Sequence, residues 1–146
     1  MAPADISPGE YEALAEFRYQ IRRFLHFSEQ AASAAGLEPA QHQVLLALKG
    51  LILQRKNASI RDLSERLLLR HHSVVGLIDR LVARGLVERV RAEADRREVH
   101  IRLTAEGERI LRHLSIHHRV ELRSAGPDLV SALNAIIGGE SGEVQS

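Results

Sequence analysis

The chain has 146 residues, 45% of them hydrophobic and 27% charged, with a net charge of +1; this composition supports one domain with its own core and is unlike that of a disordered chain. It holds no cysteine, which excludes disulfides, thiolate zinc fingers, cysteine nucleophiles and thiol switches. The N-terminal MAPADISPGEY has no basic region leading into an apolar stretch, and no window approaches the roughly 18 apolar residues of a membrane span, so the expectation is a cytoplasmic protein without membrane contact.

The first helix is expected over residues 7–36. Ser7 and Glu10 bracket Pro8 as a capping box with proline in the first turn, and Gly36 offers the stop. Tyr11, Leu14, Phe17, Ile21, Phe24 and Leu25 recur at helical spacing between them. All five aromatic residues of the protein lie on this helix. Their spread around more than one stripe points to burial against more than one neighbour, whether core, dimer partner or ligand. A second helix starts near Pro39 and runs through HQVLLALKGLIL until QRKNA ends it. Ser59 and Asp62 form a capping box for a short helix carrying Ile60, Leu63 and Leu67. From about His71 to Arg84, Val74, Leu77, Ile78 and Leu81 mark a further helix that Gly85 closes. Two short amphipathic helices so close together suggest a helix-turn-helix.

LVERV and REVHIRL, flanking the turn RAEAD, alternate apolar and charged residues and predict a β-hairpin. Helix, helix, hairpin is the winged-helix order. Thr104 caps a following helix with Ile110, Leu111, Leu114 and Leu122; GPD at 126–128 is expected to break it before a last helix around residues 129–137. The fold class is thus mainly α with a small β-hairpin wing. Charge is polarised along the chain. Residues 55–102 hold 12 Lys/Arg against 7 Asp/Glu, a net of +5, and the remainder carries net −4, as suits an electrostatic footprint for a polyanion or, equally, a solvated basic face.

The stretch SIRDLSERLLLRHHSVVGLIDRLVARGLVERVRAEADRREVHIRLTAEG, residues 59–107, resembles the DNA-binding lobe of the MarR family of bacterial transcriptional regulators. The DRLVARGLV helix exit, the Asp95-Arg96-Arg97 wing and the LTAEG helix start carry the likeness. The resemblance implies a homodimer. Residues 7–36 and 104–139 would form its dimerisation helices, and residues 39–103 would be a winged helix-turn-helix lobe reading half of a pseudo-palindromic operator in double-stranded DNA, as a repressor. It also implies a small anionic or aromatic effector that shifts the balance between DNA-competent and incompetent spacings.

On this reading Arg70, His71, His72 and Ser73 stand at the free N-terminal turn of the recognition helix, where they can donate to base edges and phosphates. Val75 and Gly76 continue that face. Glycine costs about 1 kcal/mol against alanine in a helix, so Gly76 serves either close approach to DNA or tight helix packing. Relatives carry Ser-Pro where this chain has Arg70-His71, so the docking mode carries over while individual base contacts do not. In the wing, Arg97 would enter the minor groove with Asp95 orienting it, Arg96 would meet phosphate, and Arg89 and Arg91 would do so at the hairpin base. Arg80 is a further phosphate ligand or pairs with Asp79 or Glu88.

Arg22, His26 and His42 are the polar groups expected in an effector pocket. His113 and His117, at i and i+4, could with His42 converge on zinc, although a pair of surface or interface histidines is the simpler reading. HLSIH lacks the glutamate of H-E-x-x-H, and no G-x-S-x-G, Walker loop or G-x-G-x-x-G occurs, so neither an enzyme nor a cofactor is expected. The alternative class is a metal-responsive regulator or a winged-helix protein-interaction module. Steep salt dependence with duplex DNA separates that class from a DNA-binding regulator.

Overall fold

The computed structural model describes residues 5–91 and 97–138. Its elements are α1 (Pro8–Ala34), α2 (Pro39–Leu53), α3 (Ile60–Leu67), α4 (His71–Ala83), β1 (Val87–Arg91), β2 (Val99–Leu103) and α5 (Ala105–Ile137). Contacts divide the chain into two compact units, one from the described parts of Met1–Gln30 and His117–Ser146, the other Ala31–Ile116. No helix among the described residues is long and apolar enough to cross a membrane.

In the Ala31–Ile116 unit the apolar faces of α2, α3 and α4 meet. Val44, Leu45, Leu48, Leu63, Val74, Ile78 and Leu81 are fully buried there, and Leu86, Val87 and Ile101 of the hairpin close the core. β1 and β2 are antiparallel in the register Val87↔Leu103 to Arg91↔Val99. Ala58 adds a single bridge to the far side of β2, its carbonyl accepting from Ile101 N–H at 2.7 Å.

The helix starts follow the capping chemistry of the sequence. Glu10 N–H donates to Ser7 Oγ and Ser7 N–H to Glu10 Oε1, both at 3.2 Å. At α3, Ser59 N–H and Oγ donate to Asp62 Oδ2 at 3.0 and 2.9 Å, and Asp62 N–H returns to Ser59 Oγ at 3.1 Å. The backbone bond first, then the hydroxyl, holds the Asp62 carboxyl below its ordinary value of 3.8. A depressed carboxyl stabilises the fold above its unfolded pKa and loses that contribution as pH falls through its folded value. Asp62→Asn is therefore expected to lower the Tm at pH 7, with the deficit shrinking as pH falls below about 4. A deficit that stays constant from neutral to strongly acidic pH in a circular-dichroism melting series would refute the linkage.

Helices α1 to α4 all end alike. Leu37 N–H bonds Ala32 O, Lys56 N–H bonds Leu51 O, Leu69 N–H bonds Ser64 O and Leu86 N–H bonds Leu81 O, the six-to-one closure that needs one left-handed residue. Gly36 (φ 77°) and Gly85 (φ 71°) supply it at α1 and α4, but Arg55 (φ 59°) and Leu68 (φ 56°) supply it at α2 and α3. A side chain in that region costs roughly 1–2 kcal/mol. Leu68 is 91% exposed, so little packing is lost with it, and Leu68→Gly is expected to stabilise by about 1 kcal/mol. An unchanged or lowered Tm would show that the strain is relieved elsewhere.

Helix α5 corrects one expectation. GPD does not break it: Pro127 lies inside a continuous helix Ala105–Ile137. Pro127 and Arg123 are both exposed, so water can satisfy the Arg123 carbonyl that proline cannot bond. The less exposed stripe keeps its phase across the proline, with half-buried Glu121, Ala125, Leu129 and Ile136 and buried Ala132 recurring at three and four residues. Within the other unit, His118 of α5 stands edge-on to Phe24 and Phe27 of α1, with centroids at 6.0 and 5.2 Å. Its Nε2 lies 2.9 Å from Ser28 Oγ. The same unit leaves large apolar side chains exposed, including Tyr11, Leu14 and Leu25 of α1 and Val120, Val130 and Ile137 of α5.

Candidate nucleic-acid interface

Burial of Val74, Leu77, Ile78 and Leu81 fixes the rotation of α4. His71, His72, Ser73, Asp79 and Arg80 are thereby exposed, with Val75 and Gly76 half-buried between them. Arg70, also exposed, is the N-cap residue in extended conformation and gives no side-chain cap to the first turn. The leading N–H groups of α4 therefore face outward at its electropositive end. Among the described residues beyond its own helix backbone, a Cβ at Gly76 would touch only Arg80 Nη1, at 3.4 Å. Tight packing against another helix, one of the two readings of Gly76, is not what the structure has.

The arginines of the lobe are mostly engaged. Arg80 does not pair with Asp79 or Glu88; its Nη2 donates to Glu38 Oε2 at 3.1 Å. Asp79 instead receives Arg89, and Glu88 receives Arg102 across the strands, Nη2 to Oε1 at 2.6 Å. Arg84 donates to the Gly36 carbonyl. The reason is geometric. Glu88 and Arg102 are directly opposed in the ladder, while α1's end and α2's start place Glu38 beside the outer face of α4. On the wing, Arg91 and Arg97 are exposed; Asp95 and Arg96, with the turn, lie outside the described residues. The basic stretch thus presents a lattice of ion pairs tying α4 to the hairpin and to the α1–α2 turn. Exchange of such half-exposed pairs for phosphate is cheap, since each is worth about 0–1 kcal/mol.

The wing is anchored at its far end by Thr104. Its Oγ1 donates to Gly85 O at 2.7 Å and accepts from Gly107 N–H at 3.1 Å, while its N–H donates to Leu86 O at 3.1 Å. Thr104 was expected only as a helix cap; the lock onto the end of α4 has no sequence signal beyond the LTAEG motif itself. Of the proposed effector groups, Arg22 and His26 are exposed on α1 and His42 is buried in α2. His113 and His117 are exposed. Among the described residues no group of three or more His, Asp or Glu side chains gathers as a metal site. A groove of about 470 Å³ runs beside the Lys49–Glu108 ion pair (2.9 Å), floored by Leu46 and Leu111 and edged by Arg109 and Arg112. None of the expected pocket residues lines it.

This arrangement matches known proteins. A family model described as MarR family matches residues 35–98. Over 65 residues the chain is 42% identical to the HTH-type transcriptional regulator YsmB of Bacillus subtilis (strain 168), a match spanning 44% of this chain and 44% of that protein, less than half the length of either. The crystal structure of AbsC, a MarR family transcriptional regulator from Streptomyces coelicolor, superposes with a TM-score of 0.74 at 20% identity, covering 98% of this chain and 99% of that one. BpsR of Bordetella bronchiseptica, whose DNA binding is regulated by 6-hydroxynicotinic acid, superposes with a TM-score of 0.63 at 25% identity over 85% of this chain and 94% of its own. The MarR family's model thus matches the winged lobe of this chain, and the fold is similar to that of solved MarR family regulators over nearly the whole chain.

Proposed function

We propose that this chain is a sequence-specific DNA-binding transcriptional regulator, a repressor rather than an enzyme, acting as a homodimer on a pseudo-palindromic operator. The observation that carries this reading is the outward face of α4. Arg70, His71, His72 and Ser73 stand exposed around an uncapped helix N-terminus, on the same lobe as the exposed wing arginines Arg91 and Arg97. Hydrogen-bond donors there reach base edges in a major groove, while the hairpin reaches along the backbone to the minor groove. Dimerisation is supported by the exposed apolar side chains of α1 and α5, among them Tyr11, Val120 and Ile137, which a second copy would cover.

The regulation of BpsR by a small aromatic acid supports an anionic or aromatic effector here as well. Arg22, His26 and His42 remain its proposed ligands, alone or with residues of a second copy. Selection of the purified protein on randomised duplexes, followed by sequencing of the retained DNA, tests the reading. An enriched inverted repeat with half-sites about one helical turn apart is expected; retention without enrichment would overturn sequence-specific regulation.

A further inference from the structure

Arg80 lies on the exposed stripe of α4 that Ser73 and Gly76 begin, yet its guanidinium is already occupied by a carboxylate. Glu38 Oε2 accepts from Nη2 at 3.1 Å, and both side chains are half-exposed. Both partners stand on fixed backbone. Gly36 turns the chain in the left-handed region, Pro39 confines Glu38 to extended conformation (φ −69°, ψ 148°), and Glu38 N–H is held by Gln41 Oε1 at 2.8 Å. One turn further along α4, Arg84 clamps the same turn through the Gly36 carbonyl. At the other end of the guanidinium, Nη1 lies 3.4 Å from where a Cβ of residue 76 would be. The missing side chain of Gly76 is the space into which the Arg80 head extends.

Resting on the DNA-binding reading above, we propose that Glu38 is an internal counter-anion for DNA phosphate: it holds Arg80 in the free protein and surrenders it on binding. The exchange favours DNA because a half-exposed ion pair is a weak competitor, whereas a phosphate contact also releases a condensed counterion. Glu38 thereby lowers affinity for every duplex alike, because the contact it contests carries no base information. It sharpens the share of binding that depends on base edges.

The test is a double-mutant cycle read by fluorescence anisotropy on one operator-like and one random duplex at low salt, where loss of one contact leaves binding measurable. Glu38→Gln keeps the size and polarity of the side chain, and its melting curve is checked against wild type. Binding of both duplexes is expected to tighten about threefold in the wild-type background and to stay unchanged in Arg80→Ala. Equal tightening in both backgrounds would show that Glu38 merely repels DNA through space and would overturn the proposal, as would no tightening in the wild-type background. Absence of duplex binding by the wild-type protein would overturn the DNA-binding reading itself.

Discussion

Gly107→Ala is expected to destabilise the protein by about 3 kcal/mol, a Tm loss of roughly 10 °C for a chain of this size. A Cβ at this position would sit 2.0 Å from the Leu86 carbonyl oxygen and 3.0 Å from its carbon. Both are backbone atoms, and neither can swing aside. The Leu86 oxygen is also the acceptor for Thr104 N–H, and Thr104 Oγ1 holds both Gly85 O and Gly107 N–H. Relief of the clash therefore has to break the lock between the end of α4 and the start of α5. Gly50→Ala is the control. Position 50 is also helical, no described atom outside its own helix backbone lies within 4 Å of where its Cβ would be, and alanine there is expected to raise stability by about 0.5–1 kcal/mol. Thermal melts of the two variants check the pair; a Gly107→Ala protein melting within a couple of degrees of wild type would show that the first turn of α5 yields freely.

Arg97→Ala is expected to weaken binding to the selected operator about ten- to hundredfold while leaving the melting temperature unchanged. Arg97 is exposed just ahead of β2, and the ladder that positions it is set by Val87, Ile101 and Leu103, all buried. The ladder is thus held by buried apolar side chains, whereas a narrow minor groove concentrates negative potential on an exposed guanidinium. Arg97→Lys keeps the charge without the planar fork and is expected to fall between the two. Mobility-shift titrations at fixed salt give the comparison. Affinity of Arg97→Ala within twofold of wild type would remove the wing from the DNA-binding site.

The helix starts were legible because capping chemistry is local: Ser7 with Glu10, and Ser59 with Asp62, bond within three residues. Two of the four left-handed helix ends were equally legible, because Gly36 and Gly85 announce them. Arg55 and Leu68 do not: both are exposed, and it is the backbone closure from Lys56 N–H to Leu51 O and from Leu69 N–H to Ser64 O that goes with their left-handed conformation, not a side-chain preference. GPD misled for the converse reason. Proline is a local signal against helix, but the three-and-four spacing of Ala125, Leu129, Ala132 and Ile136 continues through it, and that unbroken phase was the better guide. The outward residues of α4 followed from its apolar period. The partners of its arginines did not, because Glu38 is 42 residues from Arg80 along the chain and only the turn after α1 brings it near.

The bridge from Ala58 to Ile101 has a further consequence, for behaviour at high concentration. A two-stranded hairpin has two open edges, and each is a template for pairing with another chain. Ala58 occupies the outer side of β2 at Ile101. The outer side of β1 is a five-residue edge carrying Glu88, Arg89 and Arg91, short and charged in the way that discourages strand addition. The wing can thus stay extended and exposed without seeding edge-to-edge aggregation.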